Sequence, residues 1–237
     1  MKTILSLSLL SILLCPCAIQ DLSSGQTKSP RPNPRLLIAK CVEDGFDAQI
    51  PEDPVREKIA RFADVDLVAT FPRGDAGATF WFVRANKEIF KFTAKDLVAS
   101  NVWIAVDHNR ALDRSHGQAH IALTYSDGGA IGAFHVRVFL IDESGVKDAS
   151  SSINQAVADF KSRHHCRIRG NNATALKWVD GALLLLTEVY PTGDCGADLG
   201  HLEGYLISVP YGEILERLTL RELQHYPGVC LQNDDES

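Results

Sequence analysis

FPRGDAGA occupies residues 71–78, and YPTGDCGA occupies residues 190–197. The second copy repeats five of eight positions of the first, 119 residues later. The shared residues are Pro72/Pro191, Gly74/Gly193, Asp75/Asp194, Gly77/Gly196 and Ala78/Ala197. Proline fixes φ and glycine admits positive φ, so both copies read as turns. Apolar runs stand before each copy, DLVAT at 66–70 and LLTEV at 185–189. After each comes an apolar run, a short polar turn and a second run, over 79–92 and 204–218. The pattern predicts one β-hairpin unit used twice, over about 66–97 and 185–223.

The rest of the chain is also strand-rich. VWIAV (102–106), Ala119–Tyr125 and Phe134–Ile141 read as strands. On the last, Phe134, Val136, Val138 and Leu140 share one face and His135, Arg137 and Phe139 the other, by the two-residue strand period. Ala175–Val179, Asp180-Gly181 and Ala182–Tyr190 read as a hairpin with an Asp-Gly turn. Its run of four leucines fits a strand covered on both faces. Helices are expected at Pro54–Phe62, behind the acids Glu52-Asp53, and at Ser151–Arg163, where Ile153, Val157 and Phe160 keep helical spacing. Short helical turns are expected near Ala94–Leu97 and Leu220–Leu223. The expected fold class is α+β, mainly antiparallel β with two or three helices. A propeller is not expected, because the Trp-x-Asp-Gly of 178–181 occurs once and blades repeat their signature.

The first residues set the expected compartment. Lys2 precedes an uncharged apolar run, Ile4–Leu14, too short to span a bilayer and suited to a secretory leader ending near Ala18. A lipid anchor at Cys15 or Cys17 needs a small preceding residue, and Leu14 and Pro16 stand there instead. Residues 19–35 are polar and proline-rich and read as a flexible spacer. The expected organisation is a leader (1–18), a spacer (19–35) and one disulfide-stabilised β-rich domain (36–237). That chain is expected to be exported, to a bacterial periplasm or the extracellular space, with no transmembrane segment expected after the leader.

Four cysteines remain beyond the leader: Cys41, Cys166, Cys195 and Cys230. An even count in an exported chain favours two disulfides, and three pairings are open. Cys41–Cys230 would tie the ends, and Cys166–Cys195 would tie a loop to its neighbour. Without a CxxC pair, a thiolate metal site is not expected. Asn172-Ala173-Thr174 spells a glycosylation sequon, which reads as chance. The formal charge of −6 becomes −7 once Lys2 leaves with the leader, and no basic run appears. Nucleic-acid binding, which needs Lys and Arg against phosphates, is therefore not expected.

The catalytic motifs are absent: no GxSxG, HExxH, GxxxxGK[ST] or GxGxxG. The two Asp-x-Gly turns lack the Thr or Ser that follows each aspartate in aspartic proteases; Ala76 and Cys195 stand there. Trp81, Trp103 and Trp178 sit in apolar runs and are expected in the core. One cluster has metal-ligating residue types, DHNRALDRSHGQAH at 107–120, with Asp107, His108, Asp113, His116 and His120. His164-His165 is a weaker candidate, since adjacent strand residues point to opposite faces. The leading expectation is a non-catalytic binding or envelope-support module for an unidentified protein or small molecule, without a required cofactor. The alternatives are a divalent-metal-dependent hydrolase on 107–120, and an inhibitor or immunity-type protein presenting Pro72–Ala78 and Pro191–Glu203.

Overall fold

A computed structural model describes residues 45–52, 55–71, 77–95, 97, 101–107, 118–126, 133–164, 172–189, 201–227 and 229. Among the described residues there are thirteen strands in three antiparallel sheets, and in most of them apolar residues alternate or run continuously. The first sheet runs in chain order: β2 (Glu57–Phe62), β3 (Val65–Thr70), β4 (Ala78–Arg84) and β5 (Lys87–Ala94). In the second, β1 (Gly45–Gln49) lies beside β6 (Asn101–Val106), followed by β7 (Ala119–Ser126), β8 (Phe134–Asp142) and β9 (Gly145–Asp148). The third is β10 (Ala173–Val179), β11 (Ala182–Glu188), β12 (Leu202–Ser208) and β13 (Ile214–Thr219). Each sheet thus contains four consecutive up-and-down strands, the connectivity of a propeller blade. The fold is mainly antiparallel β with two α-helices, α1 (Asn154–Arg163) and α2 (Leu220–Gln224), among the described residues.

The five-stranded sheet is the middle layer. One of its faces places Ile104, Ile121, Leu123, Phe139 and Ile141 in a core shared with Leu67, Phe80, Phe82 and Phe92 of the first sheet. Phe80 stacks on Phe92 at 4.7 Å, and Phe82, Phe90 and Phe139 pack as a triad 5.0–5.9 Å apart. The other face gives Ala105, Ala122, Val136 and Val138 to a core with Leu183, Leu185, Tyr205, Ile207 and the apolar side of α1. This explains β8, whose second face looks mixed in sequence yet buries Phe139 and Ile141. Two tryptophans join the second and third sheets reciprocally. Trp103 Nε1 donates to Ala175 O at 2.9 Å, and Trp178 Nε1 donates to Ala105 O at 3.2 Å. A bulge in β10 after Ala175 makes room for this, and Ala175 N–H is taken by Thr124 Oγ1. All three tryptophans are buried, as their apolar surroundings predict.

The two halves that carry the repeated turn take equivalent places. β3–β5 and β11–β13 are each strands two to four of a four-stranded sheet. The first copy of the motif stands in sequence between β3 and β4 and the second between β11 and β12; both strand pairs are antiparallel. Pro72, Gly74, Asp75, Pro191, Gly193, Asp194 and Gly196 lie outside the described residues. Gly77 is described and has φ +118°, a conformation glycine tolerates. The polar turn at 85–86 and the Asp180-Gly181 turn have both residues at positive φ, as two-residue hairpin turns require.

One expected helix is a strand instead. Pro54–Phe62 is not a helix: Glu57–Phe62 is β2, paired to β3 with a bulge between Lys58 and Ala60. An edge strand with one wet face carries enough Glu, Lys and Arg to imitate a helix, and pairing with β3 decides the outcome. The expected helix at 151–163 is present as a short 3₁₀ segment, Ser150–Ile153, running into α1. The expected turn near Leu220–Leu223 is α2, opened by a capping box between Thr219 and Glu222.

Candidate metal centre

Where α1 crosses β12, two sequence-distant segments place their polar groups together. On α1, Ala156, Val157 and Phe160 face the core, so Asp159 and Arg163, one turn apart, flank that apolar side. The helix ends at Arg163. His164 adopts extended backbone, and its ring packs against Phe160 at 4.4 Å. On β12 the two-residue period puts Glu203, Tyr205 and Ile207 on the face toward α1, with His201 just before the strand in the same alternation. Arg217 of β13 is the direct cross-strand partner of Tyr205 and shares that face.

Glu203 is the hub. Its Oε1 accepts from Arg163 Nη1 at 2.7 Å and lies 3.1 Å from His201 Nε2 and 3.8 Å from His164 Nε2. Its Oε2 contacts Arg163 Nη2 and lies 3.0 Å from the Tyr205 hydroxyl. That hydroxyl also lies 3.0 Å from Asp159 Oδ2, accepts from Arg163, and tops a fully buried ring. Asp159 Oδ1 accepts from Arg217. The His164 and His201 rings are 4.6 Å apart. Burial works against the Glu203 carboxylate, but hydrogen bonds from Arg163, Tyr205 and His201 outweigh it and hold its pKa below the usual carboxylate range. Burial raises the Tyr205 phenol well above its ordinary value, and the carboxylates beside it push the same way. The hydrogen bond to Glu203 raises Arg163, so both partners stay charged.

One donor atom each from His164, His201 and Glu203 lies within 4.8 Å of the other two. Around a zinc ion with bonds of about 2.0–2.2 Å the donors approach more closely, so side-chain adjustments of roughly 1 Å would close the set. Two imidazoles and one carboxylate suit zinc or another first-row transition ion better than calcium, which prefers an all-oxygen shell. Tyr205 and Arg163 Nη2, on Oε2, would orient the carboxylate as outer-shell groups do, and an ion at Oε1 would displace Arg163 Nη1. Beside this cluster runs a groove of about 770 Å³ between α1 and β13. Gln155, Ala158, Asp159 and Ser162 form one wall, and Ile214, Leu215, Glu216 and Arg217 belong to the other.

The 107–120 candidates are only partly described. Asp107 and His120 are buried where β6 ends and β7 begins; His120 Nδ1 is 3.7 Å from Asp107 Oδ2, and its ring lies 5.4 Å from Trp178. His108, Asp113 and His116 lie outside the described residues, as do Cys41, Cys166, Cys195, Cys230 and His165. The sequon residue Asn172 is buried: its Nδ2 donates to Glu188 O, and its Oδ1 accepts from Phe134 N at 3.4 Å. Of the segment 191–203 expected to be a presented loop, Leu202 and Glu203 are instead strand β12. Among the described residues, no helix is long and apolar enough to cross a membrane.

Sequence reasoning singled out His164 but paired it with His165, and it missed His201 and Glu203. The available signal was His201-x-Glu203, two metal-ligand types at strand spacing beside an apolar run. The chain matches no protein-family model, no curated protein and no solved structure.

Proposed function

We propose that the protein is an exported β-rich binding module whose functional centre is a divalent transition-metal site formed by His164, His201 and Glu203. The observation that supports it is the convergence of the three donor atoms within 4.8 Å. The leader-like Ile4–Leu14 supports export. The role proposed is binding rather than catalysis, since the chain carries no catalytic motif of the kinds sought above.

The test is a thermal melt of the oxidised protein after EDTA, with zinc or calcium then returned. An ion that binds only the folded state at 100 times its Kd adds about 2.7 kcal/mol. For a domain of this size that raises Tm by roughly 5–10 °C. Zinc is expected to raise Tm and calcium to leave it unchanged. His201→Ala is expected to cancel the zinc effect while leaving the metal-free Tm within about 1 °C, because that side chain is 47% exposed. Coincident melts with and without zinc would refute the reading. Loss of zinc stabilisation in His116→Ala with His120→Ala, but not in His201→Ala, would move the metal to the 107–120 segment and favour the hydrolase alternative.

A further inference from the structure

Arg163 holds the oxygen that a metal would need. It is the last residue of α1 and stands directly before His164, so the helix end delivers a guanidinium and an imidazole to one carboxylate. Arg163 Nη1 donates to Glu203 Oε1 at 2.7 Å, closer than His201 Nε2 at 3.1 Å or His164 Nε2 at 3.8 Å. Oε1 is the Glu203 oxygen that both imidazoles approach. An ion bound by all three residues therefore takes the ground that Nη1 occupies. The other arm of the guanidinium is tied elsewhere. Nη2 contacts Oε2 and the Tyr205 hydroxyl and lies 3.0 Å from Asp159 Oδ2. Withdrawing Nη1 leaves these contacts as a pivot, and the side chain is 37% exposed, so a freed Nη1 meets water.

The charges around Oε1 show what this arrangement does. Glu203 and Asp159 face Arg163 and Arg217, and with neutral imidazoles the four charges cancel. The empty centre thus needs no ion for charge balance. A carboxylate only 14% exposed would be costly to leave without a partner, and Arg163 removes that cost. In a structural metal site the ion itself supplies the balance, which couples metal binding to folding. Here a divalent ion must instead break a charge-assisted hydrogen bond and then sit beside a fixed positive charge. Every cation meets this same penalty. Calcium, which gains little from imidazole, is left too weak to bind, whereas zinc gains enough from two nitrogens to displace the arm.

We propose that Arg163 is a built-in counter-cation of the metal centre: it holds Glu203 Oε1 while the centre is empty, yields that oxygen to an incoming divalent ion, and so makes the site one that loads and releases metal with the protein folded throughout. The inference rests on the metal site proposed above. It assigns Arg163 two opposed effects, stabilising the metal-free protein and weakening the metal. An arginine that merely orients Glu203 would strengthen the metal instead.

The test is calorimetric titration of zinc into the EDTA-treated full-length protein and into Arg163→Gln, with a melt of each before zinc is added. Arg163→Gln is expected to lower the metal-free Tm and to tighten zinc by about tenfold or more, the equivalent of one charge-assisted hydrogen bond. Tyr205 still holds Oε2 in that variant, and removal of the adjacent positive charge outweighs the loss of one orienting donor. Where glutamine prevents folding, Arg163→Lys serves: one nitrogen cannot span both oxygens, so zinc is expected to tighten by a smaller factor. Zinc binding in the parent protein that is unchanged or weaker in the folded variant overturns this inference alone, since Arg163 is then a positioning residue. Zinc binding in neither protein overturns the metal centre and this inference together.

Discussion

Tyr205→Phe isolates the polar network from the core beneath it. The ring is fully buried between Ile207 and the apolar side of α1, and phenylalanine fills the same volume, so no cavity opens. What is lost is the hydroxyl that lies 3.0 Å from both Asp159 Oδ2 and Glu203 Oε2 and accepts from Arg163. A hydrogen bond to a charged group contributes about 1.5–3 kcal/mol. Here Arg163 and Arg217 still serve the two carboxylates, and both keep some access to water. The expected loss is therefore about 1–2 kcal/mol, which for a domain of this size lowers Tm by roughly 2–8 °C. Calorimetry at pH 7 checks it. The pH dependence gives a second reading of the same contact. The folded phenol titrates above its unfolded value, so its contribution is complete below the unfolded pKa of about 10 and is lost as pH rises beyond it. The gap between the two proteins should then narrow above pH 10. In the same protein, zinc affinity should fall about tenfold, because Oε2 loses one of the donors that orient Glu203. An unchanged Tm at pH 7 would refute the argument that this hydroxyl holds the cluster together.

Two further substitutions test the fold. Gly77→Ala places a methyl group 2.9 Å from Ala94 O and 3.1 Å from Lys95 O, at φ +118°. The expected cost is about 1–3 kcal/mol, read as a lower urea midpoint; an unchanged midpoint would sink the assignment of that glycine to a strained turn. Asp142 caps the β8–β9 turn, accepting from Ser144 Oγ, Ser144 N and Gly145 N, and these bonds hold its pKa below the ordinary value. Its stabilisation is therefore present above the unfolded pKa of about 4 and is lost as pH falls through the folded value. Asp142→Asn should lower Tm at pH 7 and converge with the parent protein below pH 4; a pH-independent gap would contradict the capping role.

The parts of the fold legible in sequence were those set by short-range rules. Asp180-Gly181, the alternation of β8 and the leucine run of β11 each carry their own instruction, and each folds accordingly. β1 (GFDAQ) and β2 (EKIARF) do not, because they are edge strands whose state depends on β6 and β3. The candidate site was legible in only one half. His201 and Glu203 share a face by strand alternation, but nothing local to His164 says that the end of α1 rests on β12. That contact comes from Phe160 and Tyr205 entering one core.

The chemistry of the cluster carries the remaining weight. Charged networks at partly buried positions are weak evidence for stability, since apolar residues of similar volume often serve a packed layer as well or better. Asp159, Arg163, Glu203 and Arg217 sit on the rim of a core already closed by Phe160, Tyr205 and Ile207. Their ion pairs are not needed to exclude water there. What they do accomplish is local: they keep Glu203 ionised and hold both its oxygens, Oε1 through Arg163 Nη1 and Oε2 through Arg163 Nη2 and Tyr205, with Oε1 also beside two imidazole nitrogens. A carboxylate held ionised with one oxygen toward two imidazole nitrogens is chemically suited to a cation that takes the place of Arg163 Nη1 at Oε1, and the distances around Oε1 are the place to look for it.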